Sequence, residues 1–131
     1  MVNAKQHVKA KVLVVDDEEE LTELIKLALK EEYRVEAVFN GQEALQMLKT
    51  FKPDLIVTDI YMPVLDGFDL IEEVRKVSIN TPIIIVSGAK LRRKMSYFHN
   101  KGIAAVMVKP FSLKDLKAEI LAALRGYAKF I

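Results

Sequence analysis

The chain contains no cysteine, which excludes disulfide bonds and thiolate metal sites and fits a reducing cytoplasm. No apolar run approaches the roughly 18 residues needed to cross a bilayer. The opening stretch, MVNAKQHVKAK, is polar and basic without an apolar core, so no secretory signal is expected there. Only five glycines and four prolines occur in 131 residues, and there is no low-complexity segment or internal repeat. An excess of one charge is missing too. Twenty Lys and Arg face 18 Asp and Glu, a net charge of +2, which implies neither a nucleic acid nor a membrane surface as partner.

What is present is a length and composition suited to one packed domain. Short β-branched runs alternate with amphipathic stretches from end to end. KVLVV (Lys11 to Val15) reads as a first strand. Leu21, Leu24, Ile25, Ala28 and Leu29 then recur at the spacing of one helix face, with Glu18 to Glu20 near its start, where the macrodipole favours acids. YRVEAVF (Tyr33 to Phe39) alternates like an edge strand. Asn40 caps a helix carrying Ala44, Leu45, Leu48 and Phe51. DLIVTD (Asp54 to Asp59) is a third strand. Asp66 caps a third helix whose stripe is Leu70, Ile71, Val74 and Val77. PIIIVS (Pro82 to Ser87) is the most apolar strand and is expected to be central. Lys90 to His99 form a weakly patterned helix on Leu91, Met95 and Phe98. AAVMV (Ala104 to Val108) is the fifth strand, and Ser112 caps a last helix, with Asp115 at the capping-box position.

Five strands alternating with five helices mean an α/β fold with a doubly wound parallel sheet covered on both faces. The domain is expected over residues 11–127, with a flexible tail over 1–10 and a short tail over 128–131. No output domain is expected.

Ligands of open parallel α/β sheets bind at the carboxyl ends of the strands. Those ends carry Asp16 and Asp17 after strand one, Asp59 after strand three, Ser87 at the end of strand four and Lys109 after strand five. Each alone has an ordinary explanation as a cap, a turn residue or a solvated lysine; their convergence on one sheet edge does not. Three crowded carboxylates repel, and one takes up a proton unless a cation intervenes. Oxygen-only ligands favour a hard ion such as Mg2+ over zinc. A carboxylate beside magnesium can accept a phosphoryl group, with Lys109 as a point charge and Ser87 as a hydrogen-bond donor to its oxygens.

These pieces, VVDDE at 14–18, DIYMPVLDG at 59–67, SGA at 87–89 and KPF at 109–111, resemble the receiver domains of two-component response regulators, in particular the single-domain kind typified by the chemotaxis regulator. The handedness and order of that family, 2-1-3-4-5, is a general pattern of flavodoxin-like sheets. The resemblance implies that Asp59 is the phosphoacceptor, charged from a sensor histidine kinase or a histidine phosphotransfer protein. It implies that Asp16, Asp17, Asp59 and the backbone carbonyl of Tyr61 hold Mg2+, that Ser87 and Lys109 bind the phosphoryl oxygens, and that the bond before Pro110 is cis.

Two positions vary on the family pattern. Val106 stands where relatives commonly carry an aromatic ring that turns inward on activation, so switching is expected to use the loop after Ser87 and the fourth helix. Tyr61 is bulky for its place; its ring is expected to screen the acyl phosphate from water, or else to pack over the loop. The basic run KLRRK at Lys90 to Lys94 is read as a solvated face, as a docking surface in which Arg92, Arg93 and Lys94 meet an acidic target, or, least favoured, as a nucleic-acid contact. Two other functions compete with the phosphoacceptor. A receiver-like scaffold that takes no phosphate ordinarily lacks part of the acid–hydroxyl–lysine set, whereas this chain has all of it. A phosphatase or mutase working through aspartyl phosphate needs a second carboxylate two residues on, where Tyr61 stands.

Overall fold

The computed structural model describes residues 8–126. Residues 1–7 and 127–131, which hold most of the expected N-terminal tail, the expected domain end at Tyr127 and the C-terminal tail, lie outside the described residues. The elements run β1 (Lys11–Val15), α1 (Glu19–Leu29), β2 (Arg34–Val38), α2 (Gly41–Thr50), β3 (Leu55–Thr58), α3 (Gly67–Val77), β4 (Ile83–Ser87), a 3-10 turn (Arg92–Lys94), α4 (Met95–Asn100), β5 (Ala105–Val108) and α5 (Leu113–Leu124). All strand pairs are parallel and the order is β2-β1-β3-β4-β5. The alternating β2 is at an edge, as its pattern predicts. The most apolar strand, β4, is interior and paired on both sides, but the middle of the five is β3.

Successive strand residues feed two cores, because side chains alternate between the faces of a sheet. Leu13, Val15, Ile56, Ile83 and Ile85 face one cluster with Ala44 of α2, Leu70, Ile71 and Val74 of α3 and Phe98 of α4. Val12, Val14, Leu55, Val57, Ile84 and Val86 face the other, with Ile25 and Leu29 of α1 and Leu116 and Ile120 of α5. Each such fully buried aliphatic side chain contributes about 1.5–3 kcal/mol of transfer free energy.

Helix starts follow the capping chemistry. Asn40 Oδ1 accepts from Glu43 N–H at 2.9 Å, Asp66 Oδ1 from Asp69 N–H at 2.9 Å, and Ser112 Oγ from Asp115 N–H at 3.0 Å. Three side-chain expectations are corrected. Leu24 is solvent-exposed, because the buried stripe of α1 is Thr22, Ile25 and Leu29. Thr22 can be interior because its hydroxyl donates to Glu19 O at 2.7 Å. Val77 is exposed in the last turn of α3, where it borders a groove with Leu45 and Leu48 of α2. Met95 is half-exposed, so of the expected stripe Leu91 and Phe98 are the buried anchors. With two anchors and no side-chain cap at Leu91 or Lys94, the segment is a 3-10 turn followed by a six-residue helix.

Candidate functional site

The sheet ladder runs one residue past the strand ends, and those extra rungs set the site. Asp16 N–H donates to Val38 O at 3.1 Å, Asp59 N–H to Val15 O at 2.9 Å, and Lys109 N–H to Ser87 O at 2.8 Å. The backbones of Asp16, Asp59 and Lys109 are thereby held as rigidly as the strands that deliver them, and Ser87 is the last residue of β4 itself.

The structure brings Asp16, Asp17 and Asp59 together: one carboxylate oxygen from each lies within 4.8 Å of the others. Asp16 and Asp59 are buried and Asp17 is exposed. Asp59 Oδ1 accepts from Ile60 N–H at 2.6 Å, and Asp16 Oδ1 from Glu18 N–H at 2.9 Å. The Lys109 ammonium closes the cluster, donating to Asp59 Oδ2 at 2.9 Å and to Glu18 Oε2. It also lies 2.8 Å from Asp16 Oδ2, but out of hydrogen-bonding alignment, so this fully buried oxygen has charge nearby and no directional partner. Ser87 is buried, and its hydroxyl accepts from Ala89 N–H at 3.2 Å.

Electrostatics follow from burial and these contacts. Burial pushes the Asp16 carboxyl above the usual carboxylate range, outweighing the Lys109 ammonium and the Glu18 N–H that pull it down. For Lys109, burial works against the charged form, but the surrounding carboxylates of Asp16, Glu18 and Asp59 outweigh it and hold the ammonium well above the usual lysine range. The lysine therefore stays cationic at every ordinary pH. Two carboxylates, one of them buried with an unbonded oxygen, and a third at the rim form an oxygen-only donor set for a hard divalent cation. Magnesium fits these residues.

The loop that follows Asp59 is shaped by Gly67. Its N–H donates to Ile60 O at 2.7 Å, and a β-carbon there would stand 2.4 Å from Asp59 O and 2.7 Å from Ile60 Cα. Only glycine allows α3 to start this close to the backbone of Asp59. Within the loop, Leu65 N–H donates to Pro63 O at 2.9 Å across Val64, whose φ is +72°. This is a γ-turn, a strained geometry for a β-branched residue. Tyr61 is more than half exposed and meets Phe68 edge-on, with centroids 6.2 Å apart. The ring therefore rests against the first turn of α3. The peptide bond between Lys109 and Pro110 is cis, in keeping with the expectation.

Val106 is half-buried on the same side of the sheet as Phe68 and Tyr97. The aromatic side chains of this region come instead from α3 and α4. Arg92, Arg93 and Lys94 are exposed in the 3-10 turn, and Lys94 Nζ lies 5.3 Å from the centre of the Phe68 ring. Glu18 is the site residue that sequence reasoning missed as a partner of Lys109. It was legible only as an acid near a helix start, and nothing in the sequence connects it to a lysine 91 positions away.

The response regulator receiver domain family matches residues 12–121. The chain belongs to that family. The transcriptional regulatory protein TrcR of Mycobacterium tuberculosis is 36% identical over 116 residues, covering 88% of this chain and 45% of that protein. The alkaline phosphatase synthesis transcriptional regulatory protein PhoP of Bacillus subtilis is 35% identical over 116 residues, covering 88% of this chain and 48% of that protein. The receiver domain thus spans about half the length of these relatives. Among solved structures, a CheY-like response regulator receiver domain protein from Methanospirillum hungatei superposes with a TM-score of 0.86 at 27% identity, covering 94% of this chain and 99% of that one. This receiver domain has no helix, among its described residues, long and apolar enough to cross a membrane.

Proposed function

We propose that this receiver domain is a phosphorylation-dependent signalling switch, in which Asp59 takes a phosphoryl group from a phosphohistidine on a sensor histidine kinase or histidine phosphotransfer protein. The single observation that carries the reading is the Lys109 ammonium 2.9 Å from Asp59 Oδ2, inside a cluster of three aspartates able to share a cation. An oxygen of the Asp59 carboxylate attacks phosphorus, forming a P–O bond while the P–N bond breaks. The electron pair of that bond returns to the imidazole, which takes up a proton. Lys109 neutralises charge on the phosphoryl group, and the Ser87 hydroxyl, released from Ala89 N–H, donates to one of its oxygens.

Asp16, Asp17, Asp59 and the Tyr61 carbonyl are the groups that would hold Mg2+, which when bound supplies charge neutralisation for the phosphoryl oxygens. Transfer relies on positioning, and the ladder bonds to Asp16, Asp59 and Lys109 provide it. The chain turns over no external metabolite in this reading. It works in the cytoplasm, and its output passes to a target protein by contact, with Arg92, Arg93 and Lys94 offered to an acidic surface. The domain is proposed to span 11–127.

Incubation with acetyl phosphate and magnesium, followed by intact mass, tests this. The unaltered protein is expected to gain one phosphoryl group and Asp59→Asn none. No gain in either returns the chain to a phosphate-independent scaffold. Reversing the charge of Arg92, Arg93 and Lys94 is expected to weaken capture of the target and leave the mass gain intact.

A further inference from the structure

Glu18 stands at the N-cap of α1 in an extended conformation, φ −87° and ψ 98°. Short Ser, Thr, Asp or Asn side chains at that position ordinarily accept a hydrogen bond from the first turn of the helix; Glu18 makes no such bond. Its carboxylate crosses to Lys109 Nζ instead. The pair is asymmetric: the side chain of Lys109 is 15% exposed and that of Glu18 59%. Glu18 also lines the rim of the cleft with Leu21, Lys109, Pro110 and Phe111. Its backbone serves the interior at the same time, since its N–H holds Asp16 Oδ1.

We infer that Glu18 is a positioning residue that holds Lys109 at the rim and so raises the threshold for a phosphoryl group to engage it; this rests on the phosphoacceptor reading above. An ammonium has three N–H donors, and Lys109 already has three carboxylate neighbours, Asp16, Glu18 and Asp59. An arriving phosphoryl group needs one of those donors. Drawing the ammonium away from Asp16 would take the nearby charge from a buried carboxylate, which is costly. Asp59 is the group being modified. Glu18 is the neighbour already in water, so its bond is the one that can be given up at least cost. Its negative charge also faces the incoming dianion and opposes it.

The test is the affinity for beryllofluoride, a phosphoryl analogue, in the presence of magnesium, measured by isothermal titration calorimetry on the full chain. Glu18→Gln keeps the length of the side chain and removes its charge; it is expected to bind roughly two- to fivefold more tightly, the scale of a partly exposed ion pair. Glu20→Gln, exposed in the first turn of α1, removes the same charge two residues on and is expected to bind as the unaltered protein does. A second measurement needs no analogue or metal. The ammonium resonance of Lys109 in a nitrogen-15 spectrum is expected to be sharp in the unaltered protein and broadened by faster solvent exchange in Glu18→Gln. Equal affinity in the unaltered protein and Glu18→Gln, weaker binding in Glu18→Gln, or the same gain in Glu20→Gln overturns the inference alone. Failure of the unaltered protein to bind beryllofluoride overturns the phosphoacceptor reading and the inference with it.

Discussion

Phe68 of α3 and Phe98 of α4 lie parallel, their ring planes 3° apart and their centroids 5.9 Å from each other. Tyr97 meets both edge-on, at 5.7 Å from Phe68 and 5.8 Å from Phe98, and Tyr61 also meets Phe68 edge-on. Such pairs contribute about 0.5–1.5 kcal/mol each beyond the area they bury. The row runs from two residues after Asp59 to the segment that bears Arg92, Arg93 and Lys94. It gives α4 a physical link to the site that does not depend on a ring at position 106.

Phosphorylation is therefore expected to shift backbone amide resonances across residues 87–101, and Phe68→Ala is expected to shrink those shifts in 95–101 while leaving those near Ser87. Identical spectra for the free and phosphorylated protein throughout 87–101 would remove this route. Phe68→Ala is partly exposed in origin, so the fold is expected to survive it.

Tyr61 allows a kinetic prediction. If its ring also shields the acyl phosphate from water, Tyr61→Asn is expected to lose the phosphoryl group several-fold faster when intact mass is followed over time. Equal lifetimes would confine Tyr61 to its packing on Phe68.

The hydroxyl of Tyr97 donates to Glu72 at 2.5 Å, and Lys101 to the same carboxylate at 3.0 Å. The Tyr97 bond first, and Lys101 second, hold the Glu72 carboxyl below its ordinary value of 4.5. An acid depressed in the folded state is protonated first in the unfolded chain, so its contribution is present above that ordinary value and is lost as pH falls through the folded one. Tyr97→Phe is thus expected to lower the urea midpoint near neutral pH, with the gap to the unaltered protein narrowing as the pH drops below the glutamate range. A gap that stays constant with pH would assign the effect to packing.

Gly67→Ala is expected to destabilise the domain by about 2–3 kcal/mol, as overpacking against rigid backbone does. Because the intruding methyl group pushes on Asp59 O and Ile60 Cα, magnesium affinity is expected to fall in parallel. Thermal unfolding and metal titration together check this, and a stable variant with unchanged affinity would contradict it.

Val64 is exposed, so it gains little from its side chain while occupying a φ of +72°. Val64→Gly is expected to stabilise the fold by about 1 kcal/mol, the relief of strain exceeding the added freedom of the unfolded chain. The unfolding midpoint measures it.

The strand-end residues were legible because both signals are local. A β-branched run announces a strand, and the polar residue that stops it announces the edge where it points. Asn40, Asp66 and Ser112 were readable as caps for the same reason. The α1 stripe was misread at Leu24 because hydropathy ranks leucine above threonine, while a satisfied hydroxyl let Thr22 take the interior place. Arg75 was invisible: its guanidinium donates to the carbonyls of Lys101, Ser78 and Thr81 at 2.7, 3.1 and 2.8 Å. It ties the end of α3 to the end of α4 without any charged partner to hint at it. Glu18 and the aromatic row share that property, since each depends on contacts between distant segments that leave no periodic trace.

The extra rungs that carry Asp16, Asp59 and Lys109 tie the charged centre directly into the ladder of the sheet. Amide exchange at these three positions should accordingly be as slow as in the middle of the strands. Any message that this centre sends must then be written in side chains and loops moving over a stationary base.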